Sequence, residues 1–346
     1  MSTAYLGLDL HANTCTLGIM EEDGTYRGDE QFPTAESELI PRVSSTEASE
    51  TRLAIEASTL SGWAARTLDP YVDRTVVCDP RENFLISREA RKSDRADAYN
   101  LCRLLRMGEL KEVYQAKEDH RAVFKASAQH YLRCRDHQVA LKQQIKSVFR
   151  GWGVLEIDGG RVYTPDGRED YLDRLSQPKI ERQLRGLYQI LDTALQAQAD
   201  AKKQMLTLGK RYPEIERFRS VPGMGPINSH VFDALIQTPD RFSTTKKLWR
   251  YCQMGVRSQT SDGKPLGHEQ LDPQGRSELK QVSYRAWLGA RRDGDNAVNR
   301  FYEQSLNRTG DQTNARLNTQ RKILATLFAL WKNNSSYRPQ RFLGSA

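Results

Sequence analysis

Hydrophobic and polar positions alternate strictly at the start of the chain. Leu6, Leu8 and Leu10 fall on one face of an extended segment over residues 5–10, and Gly7 and Asp9 on the other. Residues 13–20 predict a second strand, Glu22-Asp23-Gly24 a hairpin turn, and residues 25–32 a third strand. A helix follows over 35–43, then a short buried strand over 52–55 ending at Glu56. A helix over 60–68 and a strand over 74–78 ending near Asp79-Pro80 complete the pattern. Three antiparallel strands followed by alternating helices and strands imply a mixed sheet with helices on both faces, an α/β domain.

The period then changes from two to 3.6. Residues 117–150 read as a polar helix rich in Gln, Lys and Arg, with Leu132, Val139, Leu141, Ile145 and Val148 as its apolar positions. Gly151, Gly153, Gly159 and Gly160 interrupt it with an irregular or short β insertion near 151–176. After Pro178 a second long helix carries Leu184, Leu187, Leu191, Ala194, Ala201, Met205 and Leu208 on alternating steps of three and four, interrupted at Gln198. That is a coiled-coil seam, for use against the first helix, against another copy of the chain, or both.

Beyond Pro213, Val221-Pro222-Gly223-Met224-Gly225-Pro226 precedes a helical run from Ile227. It is similar to the hairpin of helix-hairpin-helix modules, whose backbone amides can meet a phosphate. Turn chemistry alone explains it equally well. Leu248-Trp249-Arg250-Tyr251 interleaves bases and aromatics, and residues 257–264 form a polar turn holding Ser258, Thr260 and Ser261 among cations. Basic helices over 277–292 and 314–332 follow. The expected division is an α/β domain at 1–112, helices with an insertion at 113–215, a mostly α-helical domain at 216–336, and a tail at 337–346.

A length of 346 residues with 38% hydrophobic content supports two or three domains with real cores. Charge adds a direction. The net charge is +8, and from Arg241 onward there are 19 Lys/Arg against 8 Asp/Glu, +11, leaving −3 for the rest. A surplus confined to the C-terminal third suits a polyanionic partner such as nucleic acid, although a solvated basic surface has the same composition. Five scattered cysteines without a CxxC pair suggest neither a disulfide framework nor a zinc site. No apolar run approaches the roughly 20 residues of a membrane span, and no export signal is apparent, so a cytoplasmic protein is expected.

The chemistry concentrates in carboxylates. In Lys92-Ser93-Asp94-Arg95-Ala96-Asp97-Ala98, Ser93 is a fit N-cap, and Leu101, Leu104 and Leu105 continue a helix whose first turn holds Asp94 and Asp97 on one face. Acids also favour the first turn of any helix, so this pair alone decides nothing. Asp9 inside the first strand and Glu56 at the carboxyl end of the fourth change the balance, because open sheets gather ligands at that edge. Four converging carboxylates suit Mg²⁺ or Mn²⁺, and two ions roughly 3.5–4 Å apart would clamp the oxygens of a phosphoryl transfer.

Tyr5-Leu6-Gly7-Leu8-Asp9, Ile55-Glu56-Ala57, the 92–98 stretch, the 221–226 hairpin and the Ser261 turn occur in an order that resembles the IS110-type transposases. These are DEDD recombinases of bacterial insertion sequences, related to Piv invertases. The resemblance implies an RNase H/RuvC-like domain with a tetrad at Asp9, Glu56, Asp94 and Asp97. It further implies a long coiled-coil linker and a helical transposase domain with a nucleophilic serine at Ser261. Implied with these are Mg²⁺, donor and target DNA, an element-encoded bridge RNA, a homo-oligomer and association with the bacterial nucleoid. The sequence departs from the family at His11-Ala12-Asn13, where Lys is frequent, at Thr59, at Gln253-Met254-Gly255-Val256 and at Ser261-Asp262-Gly263. Ser258 and Thr260 therefore stay as rivals to Ser261.

Three other functions compete. A RuvC-like junction nuclease would use activated water at the same carboxylates and leave no protein-DNA adduct. A sugar kinase or actin-like ATPase would use Gly7-Leu8-Asp9 and Asp158-Gly159-Gly160 as phosphate loops, but those folds duplicate the whole domain, and no second three-strand hairpin precedes the long helices. A non-catalytic nucleic-acid scaffold would need no metal.

Overall fold

A computed structural model describes residues 2–79, 93–116, 118–257, 260–261, 264–265 and 270–344. Its contacts divide the chain into two units, Met1–Asp119 and His120–Ala346.

In the first unit, β1 (Thr3–Leu10), β2 (Thr14–Met20) and β3 (Tyr26–Pro33) form an antiparallel meander. After α1 (Glu36–Ser44), β4 (Glu50–Glu56) returns parallel to β1. After α2 (Ser61–Leu68), β5 (Arg74–Cys78) lies parallel to β4. The order β3-β2-β1-β4-β5 makes the mixed sheet expected from the pattern and is consistent with the RNase H-like fold that the resemblance implies. The alternation fixes which face is which. Leu6, Leu8, Leu10, Leu17, Leu53 and Ile55 are buried together with Leu39, Val43, Ala64 and Leu68 from α1 and α2. Each fully buried leucine contributes about 1.5–3 kcal/mol, so a one-residue register slip would cost most of this core. The opposite face carries Tyr5, Met20, Ala54, Val76 and Cys78, and it is covered by Leu101, Cys102, Leu104 and Leu105 of α3 (Asp94–Met107).

The second unit is built on two long helices, α4 (Asp119–Gly151) and α6 (Pro178–Gly209), with the short α5 (Pro165–Leu172) between them. The stripe read from the sequence is used within the chain. Ala201 and Met205 pack with Phe124, Ala128, Tyr131 and Leu132, while Leu184 and Leu191 pack with Ile145 and Phe149. The two helices therefore run antiparallel as a hairpin. The expected insertion contains no strand among the described residues; a 3-10 turn at Arg161–Tyr163 and α5 fill it, and Val162, Tyr171 and Leu172 bury against the helix ends.

Next come α7 (Glu214–Arg219), α8 (Pro226–Ile236) and α9 (Thr245–Tyr251). Two small ribbons follow: β6 (Val256–Arg257) with β9 (Gln270–Leu271), and β7 (Thr260–Ser261) with β8 (Lys264–Pro265). α10 (Ser277–Arg292), α11 (Ala297–Thr309), α12 (Gln312–Lys332) and α13 (Pro339–Leu343) close the unit. The predicted tail is anchored, for Phe342 on α13 is 1% exposed within the main core. The 221–226 hairpin joins α7 to α8 as expected. Gly223 sits at φ +80°, and a Cβ there would lie 1.9 Å from the Ala286 carbonyl oxygen, so glycine is what lets the hairpin seat on α10.

None of the five cysteines forms a disulfide, and all five are buried. Among the described residues no helix is long and apolar enough to cross a membrane.

Candidate active site

The site is set by how closely α3 lies on the sheet. Gly7 on β1 pairs with Gly18 on β2, leaving a strip without side chains. A Cβ at Gly7 would meet the Ala98 carbonyl oxygen at 2.3 Å and Leu101 Cβ at 2.8 Å. With α3 held there, its first turn projects past Gly7 toward the end of β1, where Asp9 occupies the same face two residues on. Ser93 starts α3 where the sequence placed the cap, its hydroxyl accepting from the Ala96 amide at 3.3 Å. Asp94 and Asp97 are thereby carried to Asp9.

Glu56 arrives by register. Leu8 pairs with Ile55 in the parallel β1/β4 ladder, so Glu56 follows level with Asp9 on the face shared with Ala54. All four expected carboxylates thus belong to one face at the carboxyl edge of β1 and β4. They do not all converge. The tight group among the described residues is Asp9, His11 and Asp94, whose ligand atoms lie within 4.8 Å of one another. Asp97 is buried and close enough to Asp9 to act on its charge, whereas Glu56 is half-buried and outside that group.

Asp9 is the buried member, its side chain 6% exposed against 43% for Asp94. Its Oδ2 faces His11 Nε2 at 3.2 Å and takes no other hydrogen bond from the described residues. Across the ladder, Thr16 is also buried with an unpaired hydroxyl. Burial raises the Asp9 carboxyl above its ordinary 3.8 and His11 opposes the shift; Asp97 and Asp94 add to it. A buried carboxylate with an open oxygen and acidic neighbours is the donor set of a divalent cation, so these residues fit one.

Strand β3 holds α3 from the other side. Gln31 Nε2 donates to Asp94 Oδ2 at 3.1 Å, and Arg95 Nε lies 3.1 Å from Asp29 Oδ1. His11, Gln31 and Asp29 were not singled out as site residues from the sequence. Gln31 and Asp29 share a face of β3 by period-two alternation, and pairing Gln31 with Thr16 puts them in the rows of Asp9 and Gly7. That signal becomes legible only once the register is known.

In the second unit, Ser261 ends β7 and pairs with Lys264, so the polar turn is part of a β ribbon. Asp-Gly between paired positions is a hairpin signal, and it was available in Ser261-Asp262-Gly263-Lys264. Ser258, Asp262 and Gly263, like Lys92, lie outside the described residues, and Thr260 and Ser261 are described by backbone alone. The base of the ribbon is tied to α9. Asp272 N donates to the Gly255 carbonyl at 2.9 Å, Arg250 Nε donates to Asp272 Oδ2 at 3.1 Å, and Arg276 N donates to the Tyr251 carbonyl at 2.7 Å. Gly275, at φ +112°, allows this approach, because a Cβ would lie 2.4 Å from the Tyr251 oxygen.

No curated protein matches the chain. Residues 215–303, from α7 through most of α11 and including the ribbon of Ser261, match the model of the transposase IS116/IS110/IS902 family. That domain, following an RNase H-like sheet, supports an IS110-family transposase.

Proposed function

We propose that the protein is the RNA-guided recombinase of a bacterial insertion sequence, which cuts and rejoins donor and target DNA through a serine-linked intermediate. The observation that carries this is the approach of Asp94 and Asp97 to the buried Asp9, with Glu56 in register beside it, in a chain whose other unit bears a transposase domain.

Asp9, Glu56, Asp94 and Asp97 would hold Mg²⁺ or Mn²⁺, which when bound supplies positive charge to the attacking and leaving oxygens of a phosphodiester. Ser261 Oγ is the nucleophile. It gives up its proton, forms a bond to phosphorus and releases a 3′ or 5′ hydroxyl, leaving DNA joined to the protein as a phosphoserine ester. The hydroxyl of the exchanged strand reverses the step. The serine must meet the carboxylates for this chemistry, in one chain or between copies, which makes a homo-oligomer part of the proposal. The basic surplus from Arg241 onward supplies cations for phosphate backbones of DNA and of a bridge RNA.

The test is strand exchange with purified protein, element-encoded RNA, and labelled donor and target duplexes in Mg²⁺. Joined donor-target product that follows a rewritten guide sequence is the expected result. Joining that ignores the RNA would remove the guided part. Nicking by water with no joining would favour the RuvC-like nuclease.

A further inference from the structure

An imidazole stands beside the buried carboxylate. His11 Nε2 stands 3.2 Å from Asp9 Oδ2 and 3.6 Å from Asp94 Oδ1. Two donors each roughly 2.1–2.2 Å from one ion, at angles near 90–110°, lie about 3.0–3.6 Å apart; both separations from His11 Nε2 fall in that range, and the ligand atoms of Asp9, His11 and Asp94 all lie within 4.8 Å of one another. Asp9 Oδ2 faces His11 Nε2 and takes no other hydrogen bond from the described residues.

His11 is also held in place. Its amide donates to the Thr14 carbonyl at 3.1 Å, its own carbonyl accepts from Thr34 Oγ1 at 2.8 Å, and the Thr34 amide donates to the Asn13 carbonyl at 3.0 Å. The turn between β1 and β2 is thereby tied to the end of β3. The imidazole leaves a fixed backbone two residues beyond Asp9.

We propose that His11 binds, through Nε2, the cation held by Asp9 and Asp94, and that this nitrogen makes the site favour Mn²⁺ over Mg²⁺. The proposal rests on the metal reading given above and adds to it a ligand and a preference. Mg²⁺ takes oxygen donors and keeps its waters, whereas imidazole suits the later divalent ions, and Mn²⁺ accepts both kinds. The rival role is an imidazolium that neutralises the two carboxylates and is displaced when an ion enters.

The experiment uses the full chain and Mn²⁺ as the probe. Electron paramagnetic resonance counts free Mn²⁺, and pulsed electron-spin-echo modulation reads nitrogen bonded to the bound ion. The wild type is expected to show a ¹⁴N coupling that is absent in His11→Gln. That variant should bind Mn²⁺ at least roughly tenfold more weakly and release it to Mg²⁺ at lower competitor concentration. His11 is 58% exposed, so His11→Gln should melt within a few degrees of the wild type. Bound Mn²⁺ without nitrogen coupling, or coupling that persists in His11→Gln, overturns the proposal and leaves the carboxylate site standing. Mn²⁺ binding that Asp9→Asn does not alter would overturn both.

Discussion

Gly7 and Ala98 touch backbone to backbone: a methyl group at Gly7 would sit 2.3 Å from the Ala98 carbonyl oxygen. This contact sets the height of α3 over the sheet and therefore the reach of Asp94 and Asp97 toward Asp9. Gly7→Ala must lift the helix or bend the strand. It should destabilise the first unit by about 1–3 kcal/mol and weaken divalent-cation binding, as measured by urea unfolding and Mn²⁺ titration. Gly186→Ala in α6, with no atom within 4 Å of the added methyl, should be neutral or stabilising by up to about 1 kcal/mol. Equal effects of the two changes would contradict this packing.

Asp9 places charge where burial resists it. Its pKa is raised, so the stability it contributes is complete below the unfolded value near 3.8 and is lost as pH rises through the folded value. Metal-free Asp9→Asn should therefore be more stable than the wild type at neutral pH, with the gap closing as pH falls through the raised folded value toward 3.8. A divalent cation reverses the order. At 100 times its Kd it should stabilise the wild type by about 2.7 kcal/mol and the variant far less, read from melting with and without Mn²⁺. A wild-type melting temperature that ignores the cation would contradict the site.

Arg121 anchors the start of α4. It donates to Asp233 and, at 2.6 Å, to Glu214 Oε1, and its guanidinium lies 3.8 Å from the centre of the Tyr212 ring. Asp233 is fully buried, and burial raises its carboxyl above the ordinary range although Arg121 pulls the other way. Arg121→Ala strands both acids and should cost about 3–5 kcal/mol in equilibrium unfolding. Adding Asp233→Asn should recover part of that loss; a purely additive double variant would show that the pair is not coupled.

Gln253 occupies the left-handed region, at φ +54°, just before the ribbon that carries Ser261. Its side chain offsets the strain, with Nε2 donating to the Pro273 carbonyl at 2.6 Å and to that of Gly275 at 3.3 Å. Gln253→Ala keeps the strain and loses the bonds, so it should cost about 1–2 kcal/mol. Gln253→Gly relieves the strain while losing the same bonds, and should stay within about 1 kcal/mol of the wild type. Alanine less damaging than glycine in thermal unfolding would contradict this reading.

The sheet was legible because Leu6, Leu8 and Leu10 alternate with Gly7 and Asp9, and period two has a single face assignment that buries them. The α3 cap was legible because Ser93 and two acids precede an apolar stripe. His11 was not, since a turn residue has no period and its nearness to Asp94, 83 positions on, exists only after α3 docks on glycine. The ribbon around Ser261 was hidden for another reason: strands of two residues carry too few side chains to show alternation. Helix α11 went unread because Arg300, Asn307 and Arg308 dilute an apolar face that Val298 and Tyr302 bury.

The central claim, that Ser261 attacks DNA with help from the carboxylate-held cation, is met most directly by looking for the covalent product. Purified protein, guide RNA and end-labelled DNA with Mg²⁺ or Mn²⁺ are quenched in denaturant, and the adduct is digested and sequenced by mass spectrometry. The account predicts a nucleotide esterified to Ser261, absent in Ser261→Ala and in Asp94→Asn. An ester on Ser258 or Thr260 would move the nucleophile, and cleavage by Ser261→Ala at the wild-type rate with no adduct would contradict the mechanism.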